Sequence, residues 1–304
     1  MPATDCQEIV IISGKGGTGK TSLVAALAVH FGSAILVDCD VDAADLHLLL
    51  SPEILEKHEF YSGHEAEITA AHCTGCGSCH NLCRFNAIQP TVTAHGREIF
   101  LVDPLACEGC GVCVHFCPVG AIAFPERRCG EWYISSTRCG PMVHARLDIA
   151  AENSGKLVST VRREARRLAE KNHHRLILVD GPPGIGCPVI AALTGASLVV
   201  IVTEPTVAGE HDLERVLALC RHFRIPTLVC LNKWDLNPEM TVKMEQNATR
   251  AGAGLLGRIR YDPEVTRAQL LARTVMEHDC AAGADIARIS ENLVHVGRQY
   301  GISI

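Results

Sequence analysis

The sequence predicts an α/β fold with a doubly wound parallel sheet that is interrupted by a cysteine-rich insert. Short apolar runs of strand character alternate with helical patterns along most of the chain, which favours a parallel sheet covered by helices. The alternation stops over residues 61–124, where Cys, Gly and short polar segments dominate. With 304 residues, 47% of them hydrophobic, the chain is long enough for one large domain or for a domain that carries an insert.

The first predicted elements are a strand, a glycine-rich loop and a helix. Residues 9–12 form a β-branched apolar run, and residues 21–31, after the loop, are rich in Ala and Leu at helical spacing. Further runs with a buried-strand pattern occupy residues 34–37, 176–179, 198–202 and 227–231. Between the later strands, residues 156–171 and 210–223 have helical patterns. These elements together give the predicted fold class.

The insert consists of two similar halves. Residues 73–88 and 107–122 repeat at a spacing of 34 residues, which predicts a pseudo-symmetric module, and residues 91–102 between them alternate as a hairpin does. We therefore divide the chain into the first part of the main domain (1–60), the insert (61–126) and the second part of the main domain (127–304). Residues 125–154 are weakly patterned and are not assigned to an element.

Charge and apolar patterning exclude several classes of protein. The formal net charge is −6 and no run of basic residues is longer than a pair, so neither nucleic acid nor an anionic membrane is expected as a partner. The apolar stretches are far shorter than the ~20 residues of a membrane-spanning helix, so no membrane span is expected. Residues 1–6 lack signal-peptide character and the cysteines cluster at metal-ligand spacing, which indicates a reducing cytoplasm.

The glycine-rich loop fits the phosphate-loop pattern G-x-x-x-x-G-K-[ST]. In this pattern backbone N–H groups surround the phosphates, Lys20 brings positive charge to the terminal ones, and the Thr21 hydroxyl reaches Mg²⁺. The strand before the loop and the helix after it are the context that this mechanism requires. The predicted nucleotide-binding residues of the loop are Gly14, Lys15, Gly16, Gly17, Thr18, Gly19, Lys20, Thr21 and Ser22.

Because of its additional lysine, Lys15, the loop resembles the deviant Walker A loop of the MinD, ParA, Mrp and nitrogenase iron protein ATPases. The resemblance implies an ATP-dependent homodimer, or a heterodimer with a related ATPase, in which Lys15 reaches the partner's nucleotide and neutralises transition-state charge. Residues 37–40 look like the family's next motif. By this resemblance Asp38 belongs to the Mg²⁺ shell and Asp40 orients the attacking water.

Two later segments complete the resemblance. Residues 178–184 are similar to the family's Walker B and switch II segment, which implies that Asp180 holds Mg²⁺ through water. Residues 232–235 match the Asn-Lys-x-Asp sequence that reads guanine in GTPases, whereas in the resembled family the asparagine at this place contacts adenine. We therefore expect Asn232 and Lys233 to bind ATP, with GTP as the alternative. Lys15, Lys20 and Asp40 are the predicted catalytic residues.

Both cysteine runs have the C-x₂-C-x₂-C-x₃-C spacing of bacterial ferredoxins, so the insert is predicted to be an α+β ferredoxin-like domain. Zinc is the rival ligand, but a zinc site would use two C-x₂-C pairs and leave cysteines idle. The resemblance implies two [4Fe–4S] clusters, in which three cysteines of each run hold one cluster and the fourth reaches the other. The implied ligands are Cys73, Cys76, Cys79 and Cys117 for the first cluster, and Cys107, Cys110, Cys113 and Cys83 for the second.

Cys187 lies seven residues after Asp180, where the nitrogenase iron protein has a cysteine that binds a cluster between subunits. Asn153 stands at the place of that protein's other bridging cysteine, so the resemblance does not extend to this cluster. The chain as a whole resembles MinD-like ATPases that carry an inserted ferredoxin domain.

Three functions are compatible with these motifs. The first is an ATPase that couples nucleotide state to electron transfer from the two clusters to a redox partner protein. The second is a cluster-assembly carrier that accepts and delivers [4Fe–4S] units, as Mrp-like relatives do. The third is a positioning ATPase of the MinD or ParA type in which the clusters report redox state.

Overall fold

The structure, a computed structural model, describes residues 6–148 and 154–302 and contains two compact units. The sheet unit, as we call the larger one, lies within the spans Met1–His58, Glu131–Leu147 and Asn153–Ile304. The cysteine unit lies within Glu59–Gly130 and Asp148–Glu152. No helix of the described residues is long and apolar enough to cross a membrane.

The secondary structure follows the predicted alternation of strands and helices. The strands are β1 (Gln7–Ser13), β2 (Ile35–Asp38), β3 (Glu53–His64), β4 (Glu67–Ile68), β5 (Ile88–Val92), β6 (Glu98–Val102), β7 (Ile122–Ala123), β8 (Glu126–Thr137), β9 (Gly140–Leu147), β10 (Leu176–Pro183), β11 (Leu198–Thr203), β12 (Thr227–Asn232) and β13 (Gly254–Ile259). The α-helices are α1 (Lys20–Phe31), α2 (Leu46–Leu50), α3 (Ser78–Leu82), α4 (Val112–His115), α5 (Ser154–Asn172), α6 (Cys187–Leu193), α7 (Val207–His222), α8 (Pro238–Arg250), α9 (Pro263–Leu270) and α10 (Ala281–Gln299).

The main sheet has the strand order β13-β12-β11-β1-β10-β2-β9-β8-β3. Neighbouring strands from β13 to β9 pair in parallel, so the prediction of a parallel α/β sheet is confirmed. β1 lies in the interior of the sheet because both of its faces are apolar. Ile9 and Ile11 join the core that contains α1 and α10, while Val10 and Ile12 are also fully buried.

Three long strands were not predicted: β3, β8 and β9. β3 is exposed along most of its length, so it lacks the apolar alternation that marks a half-buried strand. In β8 and β9, several buried positions carry polar side chains that satisfy one another. The Ser135 hydroxyl, for example, lies 2.9 Å from Nε2 of His144. The assignment of residues 125–154 as unpatterned is therefore wrong wherever β8 and β9 pass through that segment.

The chain leaves the sheet unit after His58 and returns to it at Glu131, and these two crossings lie side by side. Lys57 Nζ lies 2.8 Å from Glu131 Oε1. The rings of His58 and Trp132 stack with centroids 3.9 Å apart and an interplanar angle of 11°. β3 and β8, which carry these residues, are also neighbours in the sheet. The two ends of the insert are thus joined within the sheet unit by an ion pair and a ring stack.

The cysteine unit contains short elements around a small core. β4 pairs with β7 and β5 pairs with β6, both antiparallel, so the predicted hairpin is confirmed although it begins earlier than residue 91. α3 and α4 begin immediately after Gly77 and Gly111, which are equivalent positions of the two halves. The main core cluster of this unit consists of Ala66, Cys79, Ile88, Phe100 and Ile122. Its ferredoxin-like fold stays a prediction.

Candidate functional site

The phosphate loop connects β1 to α1 and is held in shape by a residue from another strand. Asn232, at the end of β12, donates a hydrogen bond from Nδ2 to the carbonyl oxygen of Thr18 at 2.8 Å. Gly19 has φ = 91°, and a Cβ at this position would lie 2.3 Å from Asn232 Nδ2. The residue at this place must therefore be glycine, both for its backbone conformation and for the close approach of the asparagine.

A buried cluster of one lysine and two carboxylates lies beside the loop. Lys20 Nζ is 3.0 Å from Asp180 Oδ1 and 3.3 Å from Asp40 Oδ2. Asp180 and Asp38 are paired in register on the neighbouring strands β10 and β2, so the sheet itself brings these acids together at the strand ends. Burial acts to lower the pKa of Lys20, but the negative charges of Asp180 and Asp40 outweigh it and raise that pKa.

Asp38 is fully buried and uses both of its oxygens. Oδ1 accepts a hydrogen bond from the backbone N–H of Asp40 at 3.1 Å, and Oδ2 accepts one from the N–H of Leu46 at 3.2 Å. Burial and then the charge of Asp180 raise the pKa of Asp38 well above its usual range. Burial likewise raises the pKa values of Asp180 and Asp40. Such crowding of acids is relieved when a cation binds among them.

Two buried polar atoms at this place have no hydrogen-bond partner among the described residues: Asp180 Oδ2 and Thr18 Oγ1. Buried polar atoms are nearly always paired, so orphaned ones often indicate a missing ion or ligand. A carboxylate oxygen and a hydroxyl beside a phosphate loop are hard oxygen donors, which Mg²⁺ and a nucleotide phosphate prefer. The residues therefore fit a magnesium nucleotide.

Lys15 is bound within its own chain. Its Nζ lies 2.5 Å from Glu204 Oε1, and Lys233 Nζ lies 3.1 Å from Glu204 Oε2. Burial acts to raise the pKa of Glu204, but the two lysines outweigh it and lower that pKa. Glu204 was not among the predicted site residues, although its position directly after the buried strand β11 was a usable signal.

A cavity of about 220 Å³ lies next to the loop and is lined by Gly17, Gly19, Ser22, Leu23, Asn232, Lys233, Ile259, Arg260, Tyr261, Asp262, Val265, Thr266, Gln269 and Ile286. Five of these residues were predicted to bind nucleotide: Gly17, Gly19, Ser22, Asn232 and Lys233. Arg260, Tyr261 and Asp262 were not predicted. Asp235, the acid of the Asn-Lys-x-Asp match, accepts a hydrogen bond from the backbone N–H of Tyr261 at 2.7 Å. That carboxylate is thus engaged in holding the loop after β13.

In the cysteine unit, four predicted cluster ligands line one cavity: Cys73, Cys76, Cys79 and Cys117. These are the four that the ferredoxin resemblance assigns to the first cluster, although Cys117 comes from the second run. Among the residues that the structure describes, no group of three or more His, Cys, Asp or Glu side chains is arranged to hold a metal ion.

The remaining four predicted ligands are distributed around the same core. Cys83, Cys107 and Cys113 pack against it, and Cys110 is exposed. Burial raises the pKa of the Cys113 thiol, and the proximity of Cys107 and Cys110 adds to this effect. Cys107, Cys110 and Cys113 are therefore near enough to one another to interact electrostatically.

The repeat of the sequence is preserved in the way each cysteine loop closes. Gly75 and Gly109 occupy equivalent positions, with φ values of 74° and 60°. A Cβ at Gly75 would lie 2.7 Å from the carbonyl oxygen of Glu98, and one at Gly109 would lie 2.3 Å from that of His64. Each loop therefore packs directly against the backbone of another segment, and glycine is required at both positions.

Cys187 stands apart from these runs. It is exposed at the first residue of α6. The position compared with it, Asn153, lies outside the described residues.

Comparison with known proteins supports the nucleotide site. A sequence profile of the CobQ/CobB/MinD/ParA nucleotide binding domain matches residues 9–275. The protein MJ0578 of Methanocaldococcus jannaschii, described as uncharacterized, is 32% identical over 234 residues, which are 76% of this chain and 79% of that protein. A putative septum site-determining protein MinD of Mesostigma viride is 24% identical over 272 residues, covering 86% of this chain and 74% of that protein.

Solved structures share the fold. The septum site-determining protein MinD of Pyrococcus horikoshii OT3, complexed with Mg-ADP, has a TM-score of 0.55 at 18% identity, covering 97% of this chain and 98% of that chain. The cell division ATPase MinD of Pyrococcus furiosus has a TM-score of 0.54 at 18% identity, covering 95% and 99%.

Three of these four proteins are named MinD, which agrees with the positioning-ATPase alternative better than with the electron-transfer interpretation. The profile match covers most of the chain, including the phosphate loop and all three acidic residues near it. The chain therefore belongs to the CobQ/CobB/MinD/ParA family of nucleotide-binding domains and has a MinD-like fold.

Proposed function

We propose that this protein is a nucleotide switch that binds and hydrolyses Mg–ATP at the phosphate loop. The observation that carries this proposal is the buried cluster of Lys20, Asp180 and Asp40, in which Asp180 Oδ2 is left without a partner among the described residues. A divalent cation would give that oxygen a partner, and the nucleotide's terminal phosphates would replace the carboxylates as the partners of Lys20.

Each residue of the site has a role in this scheme. Thr21 and Asp180 would hold the Mg²⁺ ion, which would supply positive charge next to the phosphates, and Asp40 would orient the attacking water. Asn232 fixes the loop through Thr18 and lines the cavity in which a base would lie. ATP is favoured over GTP because the loop carries Lys15, as in the resembled ATPases, where the asparagine at the place of Asn232 contacts adenine.

Dimerisation belongs to the same proposal. Lys15 has a side chain that is 35% exposed and is held by a single acidic residue, Glu204. A second copy of the chain, or a related ATPase, would offer Lys15 a stronger partner in the phosphates of its own bound nucleotide. Lys15 would then act across the interface as the family resemblance implies.

Calorimetry with Mg–ATP and Mg–GTP tests the nucleotide, and steady-state phosphate release tests hydrolysis. We expect ATP to bind at least about tenfold more tightly than GTP, since in the resembled family the asparagine at the place of Asn232 contacts adenine and a mismatched base leaves polar groups unpaired. The Asp40→Asn variant should bind ATP but hydrolyse it about 10²-fold more slowly. Tighter binding of GTP would overturn the choice of nucleotide, and absence of binding would overturn the switch itself.

A second function is favoured by the cysteine cavity. We propose that the cysteine unit holds two [4Fe–4S] clusters, which supply one-electron transfer when bound, and that nucleotide state controls their delivery of electrons to a redox partner protein. The support is that four thiols from two separate runs line one cavity, as the ferredoxin pattern requires. In such a cluster each thiolate binds a different iron atom, so its ligands are not grouped as those of a single ion are.

Matched cysteine variants test this second function. After anaerobic purification, iron and acid-labile sulfide should fall by about half in Cys117→Ser, because one of two clusters loses a ligand. Cys187→Ser is the control, since this exposed cysteine lies outside both runs, and its iron content should be unchanged. Colourless, iron-free wild-type protein would overturn the proposal.

Electron transfer from the reduced protein to candidate acceptors, measured with ATP, ADP or no nucleotide, then separates the remaining functions. Rates that depend on nucleotide support the coupling. Rates that ignore it, with ATP hydrolysis intact, assign the protein to the positioning ATPases. Transfer of labelled iron to an apo-protein, lost in Cys187→Ser but kept in Cys117→Ser, would instead support a cluster-assembly carrier.

A further inference from the structure

The strand β3 forms one edge of the main sheet. It comes last in the strand order, so β8 is its neighbour on one side and no other described strand pairs with its outer side. Residues 53–57, which belong to the sheet unit, are exposed at every position. Side chains alternate between the two faces of a strand, so both faces of this segment are in water. Its outer side therefore presents unpaired backbone N–H and C=O groups to solvent.

Two apolar side chains lie in the middle of this exposed segment. Ile54 is 54% exposed and Leu55 is 62% exposed, on opposite faces of the strand. Natural sheets usually protect such an edge with proline, a bulge, a covering segment or charged side chains. β3 contains no proline, and the charges next to the two apolar residues are of both signs: Glu53, Glu56 and Lys57. Charges of both signs repel some partners and attract a complementary one.

A second copy of the chain could pair with this edge only under a restriction of symmetry. Two identical edge strands that pair antiparallel are related by a twofold axis perpendicular to the sheet, and this rotation keeps every side chain on its own face. One residue must therefore lie opposite its own copy at the axis. Residues at equal distances before and after the central one then lie opposite each other.

The charges of the segment select Leu55 as the central residue. With Leu55 at the axis, Glu53 of each strand lies opposite Lys57 of the other, so two pairs of opposite charge flank a contact between leucines. With Glu56 or Lys57 at the axis, two like charges would lie directly opposite each other, which is destabilising. With Ile54 at the axis, no pair of opposite charges forms.

Lys57 is already held at the edge in a way that suits such a pair. Its Nζ lies 2.8 Å from Oε1 of Glu131, a buried residue of β8, while its own side chain is 57% exposed. An ammonium group has three N–H donors, so the bond to Glu131 leaves donors for a second carboxylate. Because the side chain is fixed beforehand, it loses less freedom when a partner binds.

We propose that residues 53–57 of β3 are a docking edge for a second copy of the chain, which pairs antiparallel with Leu55 at the twofold axis. Backbone hydrogen bonds between the two strands would supply affinity, and the two Glu53–Lys57 pairs would set the register. The main sheets of both subunits would then form one continuous sheet. This contact uses neither the phosphate loop nor Lys15, so it is independent of nucleotide, unlike the dimer proposed above.

Sedimentation velocity of the full-length protein without nucleotide, over a range of concentrations, tests the proposal. Wild type should dimerise, and Leu55→Lys, which places two ammonium groups at the axis, should raise the dissociation constant at least about tenfold. Glu53→Lys should also weaken the dimer, because it puts like charges opposite each other in both outer pairs. Leu236→Lys is the matched control: Leu236 is also 62% exposed but lies outside β3, and this variant should dimerise like wild type.

Disulfide crosslinking with diamide, again without nucleotide, tests the register. Leu55→Cys should give a covalent dimer, because the two introduced thiols lie directly opposite each other. Glu53→Cys should not, because its two copies are four residues apart along the strands, or about 13 Å. A mixture of Glu53→Cys and Lys57→Cys should crosslink again. Wild type, with its own exposed cysteines, gives the background.

Wild-type protein that stays monomeric without nucleotide overturns the proposal, and this is the result expected if the edge serves a strand of another protein. A dimer that forms only with ATP also overturns it, because that dimer is the one in which Lys15 would act. Equal weakening by Leu55→Lys and Leu236→Lys, with both variants folded by circular dichroism, or equal crosslinking of Leu55→Cys and Glu53→Cys, does so too. Failure to bind ATP overturns only the nucleotide switch, since these measurements use no nucleotide.

Discussion

The sheet unit and the cysteine unit are stabilised in different ways. In the sheet unit the central strand is buried on both faces, and the core joins strands to α1, α2 and α10. In the cysteine unit the main core cluster has five buried residues, one of them Cys79, and most of the apolar groups packed around it are partly exposed or are themselves predicted metal ligands. A small domain with so little apolar burial usually needs a metal or disulfides.

The surface of the cysteine unit has a feature that follows its repeat. Large apolar side chains remain exposed at equivalent places of the two halves: Leu82 and Phe116 are 42% and 58% exposed, and Phe85 and Val119 are each 47% exposed. Leu82 and Phe85 flank the fourth cysteine of the first run, and Phe116 and Val119 flank that of the second. The cysteine unit thus leaves apolar surface in water around its predicted ligands.

The largest effect should come from removing iron. On the proposal that the cysteine unit holds two [4Fe–4S] clusters, chelation under reducing, anaerobic conditions should abolish its protection against proteolysis and leave the sheet unit resistant, since metal binding and folding are coupled in small metal-binding domains. Limited proteolysis with mass spectrometry locates the cleavage sites. If chelation makes both units equally sensitive to proteolysis, or makes neither sensitive, then the two units do not differ in their dependence on metal.

The next effect concerns the active site that the sheet unit builds without a ligand. Lys20→Ala should reduce kcat for ATP hydrolysis by about 10²–10³-fold, because it removes the cation that meets the terminal phosphates. Lys243→Ala is the control: this lysine pairs with Glu210 at 2.8 Å on the surface, and its loss should leave kcat nearly unchanged. Circular dichroism checks that both variants fold, and equal rates would remove Lys20 from the mechanism.

A smaller effect, on dimerisation, is expected from changing Glu204, the residue that holds Lys15. Glu204→Gln weakens a pair worth about 1 kcal/mol at this partly exposed place, so the ATP-dependent dimer should form at about fivefold lower protein concentration. Analytical ultracentrifugation with ATP measures the shift. Glu245→Gln, which breaks the pair of Glu245 with Arg258, should leave dimerisation unaltered. A weaker dimer in Glu204→Gln would mean that Glu204 supports the interface.

The smallest effect concerns packing around α2. Arg138 donates from Nη2 to the carbonyl oxygen of Leu49 in this helix at 2.9 Å, and its side chain lowers the pKa of Glu277 to about 2. The folded-state pKa lies below the unfolded value, so the contribution of Glu277 to stability is complete above about pH 4.5 and is lost as the pH falls towards 2. Glu277→Gln should lower the free energy of unfolding by about 1 kcal/mol at pH 7, after allowance for solvent screening.

Urea unfolding of wild type and Glu277→Gln at pH 7 and pH 3 measures this contribution. The difference in free energy of unfolding between the two proteins should be smaller at pH 3 than at pH 7. Glu264→Gln, in a more exposed pair with Arg267, is the control and should change stability by a few tenths of a kcal/mol. If the difference in free energy of unfolding between wild type and Glu277→Gln grows as the pH falls, the pKa of Glu277 is not lowered in the folded state.

Sequence alone predicted the parts of the fold in which burial and residue type agree. β1, β2, β10, β11 and β12 are apolar on both faces, so their runs were visible without any structure. β3 was missed because it is mostly exposed, and β8 because its buried Glu131 and Ser135 are polar. Those side chains are tolerated inside only because partners on other segments satisfy them, and such pairing is not visible in a single sequence.

The candidate site likewise contains residues that the sequence reveals and residues that only the tertiary structure reveals. The phosphate loop was recognised because its chemistry requires fixed local spacing, and the acids near it were recognised because their segments resemble the family's motifs. Glu204 and Tyr261 were missed because they reach the loop from distant segments. The engagement of Asp38 by Leu46 could not be foreseen either, since it depends on where α2 begins.

The junction of Lys57 and His58 with Glu131 and Trp132 has a consequence for how such a protein could arise. Since the crossings after His58 and before Glu131 lie side by side, most of the cysteine unit could have been inserted into an ancestral hairpin without disturbing the neighbouring strands. A shortened gene in which a tight turn links position 58 to position 131 should therefore yield a sheet unit that folds without the excised segment.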